Sequence, residues 1–225
     1  MISILAIDTS TDSCSVALMY NTNNIVDDFN ITNKKHEKNI LPMINSLLIK
    51  SNISLNEINA IAYSRGPGDF TSIRVGLSVA QGLSIGANIP LIDVSTLSVL
   101  AEHSWRKNKS FNVLTAVDAR MNEVYWAIYI RYSQGLWITK NEKIISINKL
   151  SILLNNLTGY WTTAGNGWVR YPELKYNKNI TVSYNIPYSD ARDIIPLALY
   201  KYKNKKFTKY PKLNYLRTEN FWKKI

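Results

Sequence analysis

The stretch ISILAIDTSTDSCSVALMY, residues 2–20, sets the frame for everything downstream. Ile2 to Ile7 is apolar and rich in β-branched side chains, the pattern of a buried strand. From Ser13 to Tyr20 apolar residues alternate, with Val16, Leu18 and Tyr20 on one side, and this reads as a second strand. Between them, Asp8-Thr9-Ser10-Thr11 forms a hydroxyl-rich turn. A turn of this kind presents backbone N–H groups and hydroxyls to a terminal phosphate, with Asp8 holding a magnesium ion through water. It equally describes an Asp-Thr turn that satisfies its own backbone. Asp8 interrupts the apolar run and no basic flank precedes it, so the run does not read as a signal peptide.

The elements that follow keep a regular order. Asn21–Asn24 is a polar turn and Ile25–Ile31 a third strand. His36–Lys50 has helical spacing, and Pro42 is tolerated only near a first turn, so the helix is expected to begin around Asn39. Its residues Ile40, Leu41, Met43, Ile44, Leu47 and Leu48 fill an apolar arc of about 160°, wider than the roughly 100° that one sheet contact needs. Ile58–Tyr63 is a further strand. Phe70–Gly86 reads as a helix with no polar face, carrying Ile73, Leu77, Gly76, Gly82 and Gly86, and is expected to be buried all round. Leu91–Val94 is a short strand and Ser95–Arg106 a helix. Val113–Val117 and Glu123–Arg131 restart the strand pattern around Asp118-Ala119-Arg120-Met121-Asn122. A lobe boundary falls near residue 107, dividing the chain into 1–107 and 108–225. Within the second lobe the pattern weakens at 133–186, which is expected to be reduced and irregular. Asp190–Tyr202 closes the series as a helix capped near Ser189. No repeat of fixed period is visible.

The loop SRGPGDFTSIR, residues 64–74, leads from strand to helix with two glycines around a proline. It has no lysine after the second glycine, so it is not a P-loop, and Thr71 stands where a dinucleotide fingerprint needs glycine. A helix start still attracts anions, and Arg65 and Arg74 add charge. Asp69 would compete with a phosphate for the same N–H donors. A single cysteine, Cys14, excludes an internal disulfide or a cysteine zinc cage. His36 and His103 are far apart, with no HxxxH and no GxSxG. No apolar run reaches the ~18 residues of a membrane span. These features suggest a soluble cytoplasmic protein. The net charge of +11 is concentrated at 201–225, where nine Lys/Arg face Glu219 alone and alternate with Tyr200, Tyr202, Phe207, Tyr210, Tyr215 and Trp222. That basic, aromatic tail suits RNA, and it is equally what a lysine-rich coding bias would produce.

Strand, Asp-Thr turn, two strands, helix, strand and helix is the order of one lobe of the actin/hexokinase-like (ASKHA) fold with RNase H-like sheets. The strings ILAIDTSTDSCSVAL, HEKNILPMI, INAIAYSRGPGDFTSIRVGLSVAQGL, PLIDVSTLSVLA, AVDARMNEVYWAIY and NYLRTENFWKK together resemble the TsaB (YeaZ) family. The resemblance runs through 1–132 and returns at 187–224, with AGNGW between. It implies an accessory subunit of tRNA threonylcarbamoyladenosine synthesis. Such a subunit partners TsaD, which transfers threonylcarbamoyl from its adenylate onto the adenosine beside the anticodon of tRNAs reading A-starting codons. The ATPase TsaE joins them. It further implies a homodimer or a TsaD heterodimer through the first two helices. The interface residues would be Ile40, Leu41, Met43, Ile44, Leu47, Leu48, Phe70, Ile73, Arg74 and Leu77. On this basis Leu47→Glu or Leu77→Glu is expected to abolish pairing in a folded chain. ATP or ADP at the interface with the partner would place Asp8, Thr9, Arg65, Arg74 and Arg120 near a nucleotide, with no intrinsic cofactor. TsaD-like relatives carry two histidines where Thr96 and Leu100 stand, so no catalytic metal is expected. tRNA would be reached through the partner or the basic tail, with no membrane. The alternative, resting on Asp8-Thr9-Ser10-Thr11 and the element order, is a magnesium-dependent ATPase or phosphotransferase of the same superfamily.

Overall fold

The computed structural model describes residues 1–31, 35–132, 136–176 and 180–217. The first half runs β1 (Ile4–Asp8), β2 (Ser13–Tyr20), β3 (Asn24–Ile31), α1 (His36–Ser51), β4 (Ala60–Ser64), α2 (Ser72–Ala87), β5 (Leu91–Val94) and α3 (Thr96–Asn108). The second runs β6 (Asn112–Asp118), β7 (Glu123–Arg131), β8 (Trp137–Ser146), α4 (Ile147–Asn155), β9 (Tyr160–Ala164), α5 (Gly167–Arg170), β10 (Thr181–Ile186) and α6 (Ile194–Lys203). Element for element the halves agree. Each forms a five-stranded sheet, β3-β2-β1-β4-β5 and β8-β7-β6-β9-β10. In each, the first three strands are antiparallel neighbours and the last two join in parallel. This duplicated mixed α/β architecture is the actin/hexokinase-like fold expected from the opening strands. The repeat escapes the sequence because topology requires like patterning and not like residues.

The central strand β1 is buried along its whole length. Leu5 and Ile7 face a core shared with α1 and α2, which includes Ile40, Leu47 and Ala80. Ile4 and Ala6 face the other way, into a core with Ile194, Ile195 and Ala198. That second face is paved with Ala6, Ala17, Ala60 and Ala62, and their small side chains let a helix lie close. The helix is α6, contributed by the second half of the chain. The reciprocal holds for α3, whose Leu97, Leu100 and Ala101 pack with Val113, Val117, Ala127 and Ala164 of the second sheet. Each half therefore lends its last helix to the other.

Several expectations are corrected. Helix α1 begins at His36, three residues ahead of Asn39, with Pro42 inside it. Pro42 and Lys38, whose carbonyl loses its amide partner, are both exposed, so water can take that bond. Helix α2 is not buried all round. Only Ser72, Ile73, Gly76 and Ala80 are, while Ile85 is 82% exposed and Gly82 and Gly86 face open space. Gly76 alone meets a tight approach, since a Cβ there would lie 2.6 Å from Thr9 Oγ1. The segment 133–186 is not reduced. It supplies β8, α4, β9, α5 and β10, elements that are short or polar along their length. Asp190, not Ser189, caps the turn before α6, accepting from Arg192 N at 2.9 Å.

Because α3 is core to the second sheet and covalently part of the first half, its loosening should weaken both halves. Leu100→Ala, at a fully buried position, should cost about 2–5 kcal/mol. Denaturant unfolding followed by circular dichroism and by tryptophan emission should show one shared transition, displaced to lower denaturant. Two separated transitions would mean that the exchanged helices do not couple the halves.

Candidate functional site

Two regions gather the residues singled out by the sequence: a cleft between the lobes and the outer face of α1 and α2. The cleft, about 440 Å³, is lined among others by Ser10, Asp12, Asp69, Asp118, Arg120 and Arg217. On one side stands the β1–β2 turn. Asp8 lies beneath it, fully buried, with Oδ1 accepting from Ser10 N at 2.8 Å and Ser10 Oγ at 2.6 Å. Burial pushes its carboxyl pKa up, against those hydrogen bonds. Thr9 Oγ1 donates to Ser72 O at 2.6 Å, tying the turn to the start of α2. Ser13 Oγ donates to Ser189 O at 2.9 Å, and Ser10 Oγ lies 3.2 Å from Ser189 Oγ. The turn thus takes the second of its two readings: its hydroxyls bond within the chain.

The loop at 64–74 behaves alike. A Cβ on Gly68 would sit 2.1 Å from Ser10 O, so glycine is what allows the two loops to touch. Asp69 Oδ1 accepts from Thr71 N and Ser72 N, both at 3.2 Å, and from Ser72 Oγ at 3.0 Å. The carboxylate therefore occupies the donors at the start of α2 that a phosphate would use. Across the cleft, Asp118 Oδ1 accepts from Arg120 N at 2.9 Å and Tyr171 OH at 3.3 Å. The β6–β7 turn carries three successive positive φ angles, at Arg120, Met121 and Asn122.

The five residues expected near a nucleotide do not converge. Asp8 and Thr9 are buried under the turn. Arg65 lies elsewhere and donates to Asp93 Oδ2 at 2.7 Å. Arg74 lies over the Phe70 ring, 3.5 Å from its centroid, and donates to Tyr215 OH at 3.1 Å. Arg120 alone lines the cleft, 3.9 Å from Asp69.

On the outer side, α1 and α2 lie next to each other. The expected interface set divides by burial. Ile40, Met43, Ile44, Leu47 and Ile73 face the sheet and are buried within this chain. They cannot present themselves to a partner, and Leu47→Glu would place a charge in the core rather than spare the fold. The face left outward has Leu41 (52% exposed) and Ile49 (71%) on α1, with partly buried Leu48 beside them. On α2 it has Leu77, partly buried, together with Ile85 and the open Gly82 and Gly86. Phe70 and Arg74 are exposed where α2 begins. Ile49 and Ile85 belong to this face and stand outside the expected interface set: Ile49 lies on the far side of α1 from its buried stripe, and in α2 no polar side marks which apolar residues face out.

The family "TsaD: tRNA N6-adenosine threonylcarbamoyltransferase" matches residues 30–187. The Escherichia coli (strain K12) tRNA threonylcarbamoyladenosine biosynthesis protein TsaB is 40% identical, over 99% of this chain and 97% of its own length. The Haemophilus influenzae TsaB is 36% identical over 100% and 97%. The chain belongs to the TsaB family. YeaZ from Pseudomonas aeruginosa superposes with a TM-score of 0.83 at 30% identity, covering 96% of this chain and all of that one. The match to TsaD, a different protein of the same pathway by name, fits a shared fold.

In this TsaB-family chain, Thr96 and Leu100 are both fully buried on α3. One further group of metal-type donors stands among the described residues: His103, Asp190 and Asp193, with ligand atoms within 4.8 Å of one another. Arg106 already holds it. Its Nε and Nη2 donate to Asp193 at 2.6 and 2.9 Å, and Nη2 donates to Asp190 at 2.7 Å. Burial, with Arg106 beside it, holds the His103 imidazole down to a pKa of about 4 and therefore neutral. A metal ion would have to displace a bound guanidinium, so the donor set does not fit one.

The basic tail has an unexpected course. Its last part, 218–225, including Glu219, Trp222, Lys223 and Lys224, lies outside the described residues. Residues 204–217 run back across the molecule. Thr208 N donates to Leu91 O and Asn214 N to Arg65 O, both at 2.8 Å. Arg217 Nη2 then reaches the second lobe, donating to Ala119 O and Glu123 Oε2 at 2.8 Å. Asp93 is the anchor, accepting from Thr208 Oγ1 at 2.8 Å and from Arg65, with Lys201 Nζ 3.6 Å away. Burial alone would raise the Asp93 carboxyl pKa. Lys201, Thr208 and Arg65 outweigh it and hold the pKa below 3.8. Its contribution to stability is thus present above pH 3.8 and fades as pH falls through the lower folded value. Asp93→Asn should free the strap, and trypsin should then cleave at Lys205, Lys206 and Lys209 several-fold faster at pH 7. Unchanged cleavage would assign the hold to the strap's other bonds, those of Thr208 N, Asn214 and Arg217.

Proposed function

We propose that this chain is the accessory subunit that completes a TsaD-type threonylcarbamoyl transferase without carrying the transfer chemistry itself. The observation that carries the reading is the outer face of α1 and α2. Leu41, Ile49 and Ile85 stand in solvent beside two glycines with nothing within 4 Å. An apolar, small-residue surface on adjacent helices is what a partner with like helices can cover. TsaD, which shares the fold, is that partner, and a second copy of this chain can use the same patch isologously. TsaE joins the pair, and ATP or ADP sits at the interface with the partner rather than in a site of this chain alone. tRNA is met through TsaD or through the cationic strap. The lack of histidine at Thr96 and Leu100 supports leaving the chemistry to TsaD.

The test is reconstitution. TsaD and TsaE, given threonylcarbamoyl-adenylate and tRNA, should modify the tRNA only when this chain is added, and the chain alone should give none. Modification indifferent to the chain would sink the proposal. Ile85→Glu combined with Leu41→Glu should leave the melting temperature within a few degrees, since both side chains are largely solvated. Size-exclusion chromatography should then show loss of pairing with TsaD and of self-association. Retained pairing would place the interface elsewhere.

A further inference from the structure

Lysine is spread unevenly along the chain. None stands between Lys50 and Lys107 or between Lys109 and Lys140, yet five fall within residues 203–212. A coding bias alone would scatter them. Lys203, Lys205, Lys206, Lys209 and Lys212 are all exposed, and among the described residues no ion pair holds any of them. No acidic residue lies between Ile194 and Arg217 to balance their charge. The fold gathers them around Arg65. Lys203 and Lys206 line a cavity of about 540 Å³ between α3, α6 and the β7–β8 hairpin. Lys212 and Tyr210 line another of about 360 Å³. Arg65 lines both, so the two adjoin.

Aromatic rings alternate with these charges. Tyr200 and Tyr210 are 44% and 69% exposed, with Lys206 Nζ 5.8 Å from the first ring's centroid and Lys209 Nζ 5.5 Å from the second's. Across the larger cavity, the Arg131 guanidinium lies 4.4 Å from the centroid of Trp105 and 5.1 Å from that of Trp137. Lys109, exposed at the end of α3, extends the row, 5.3 Å from Trp105. The acids that line the two cavities are engaged within the chain. Asp93 holds Arg65, Lys201 and Thr208. Glu102 accepts from Arg131 and from Trp137 Nε1, and Glu142 accepts from Tyr129 OH at 2.6 Å and Asn214 at 3.2 Å. Negative charge is thus neutralised in the walls. A belt of unpaired cations and rings is left outside, from Lys109 to Lys212.

We propose that this belt binds RNA carrying unpaired nucleotides, with its lysines on the phosphates and Tyr200 and Tyr210 stacked on bases. Lysines spaced along a strap neutralise a phosphate backbone without reading its sequence. Exposed rings beside them take bases that have no pairing partner, since a paired base keeps its faces in the duplex stack. That tRNA is the natural RNA rests on the partner reading given above. That this chain touches RNA directly does not, since the belt uses neither α1 nor α2.

The test is fluorescence anisotropy on the full chain without TsaD, using a labelled RNA hairpin with an unpaired loop, a fully paired duplex of the same stem, and inorganic polyphosphate as competitor. At about 0.1 M salt the hairpin should bind saturably and more tightly than the duplex, and added salt should weaken it steeply. Lys203→Glu, Lys206→Glu, Lys209→Glu and Lys212→Glu together should weaken hairpin binding at least about tenfold. The melting temperature should hold, since no ion pair is lost. Lys209→Ala with Lys212→Ala should lower the slope of log affinity against log salt by about 1.4. Tyr200→Ala with Tyr210→Ala should weaken the hairpin several-fold and leave the duplex unchanged. Lys149→Glu, exposed on α4 and so across the second sheet from α3, should change nothing. Three results would overturn the proposal: no saturable hairpin binding or binding that survives the four charge reversals, a duplex held as tightly as the hairpin, or polyphosphate displacing the hairpin as readily as unlabelled hairpin does. The charge-reversed chain should still elute with TsaD on size exclusion, which separates loss of RNA binding from loss of pairing. Hairpin binding that persists in a chain unable to pair with TsaD would overturn the partner reading and leave the belt standing.

Discussion

The alanine floor of the first sheet is the constraint on which the rest depends. Ala6, Ala17, Ala60 and Ala62 lie in one core with Ala191, Ile194 and Ala198. Larger side chains on that floor would push α6 away, and overpacking of this kind is itself destabilising. With α6 held on the first sheet and α3 on the second, the halves cannot part without opening both cores. Two consequences follow for the surface. The loops of both halves meet at one cleft, and the remaining helices of the first half, α1 and α2, form its outermost layer.

The strap is the second tie, and it uses charge where the helices use apolar area. Lys201 and Arg65 converge on Asp93, Thr208 closes the group, and Arg217 ends on the second lobe at Glu123. Part of the basic tail is thus committed to holding the chain together. Lys203, Lys205, Lys206 and Lys209 remain outward. A count of lysines cannot separate these two groups, because the distinction rests on where Asp93 and Glu123 stand in space.

What the sequence made legible follows the range of the physics involved. The strands β1, β2, β4, β6 and β7 were readable because burial imposes a local pattern. The element order then carried the fold, and the motif strings carried the family. Leu47 and Ile85 show where local pattern stops. Both sit on wide apolar helices, yet one is core and the other surface, and only the position of the sheet decides which. Pro42 misplaced the start of α1 because solvent at Lys38 makes a lost backbone bond cheap. The elements of 133–186 were obscure because α4 spans nine residues, α5 four, and β8 carries Lys140, Glu142 and Lys143 along an outer strand. The strap left no local trace at all, since Thr208 and Asn214 bond to residues 115 and 72 positions distant.

Satisfied and unsatisfied groups are distributed unevenly between the cleft and the outer helices. An ATP-using enzyme needs polar groups held ready and unengaged in its cleft, because donors already bonded must break those bonds before they can bind phosphate. Here Ser10, Asp69 and Arg217 are engaged within the chain, and Asp8 is sealed beneath with Oδ1 bonded to Ser10 and Oδ2 left without a partner. The outer helices are the reverse case. Their apolar side chains lie in water and their glycines leave room for a neighbouring backbone, a cost of about 1 kcal/mol per helical glycine relative to alanine with no return inside the monomer. A surface that is costly alone and inexpensive once covered favours a chain that works by being joined to another.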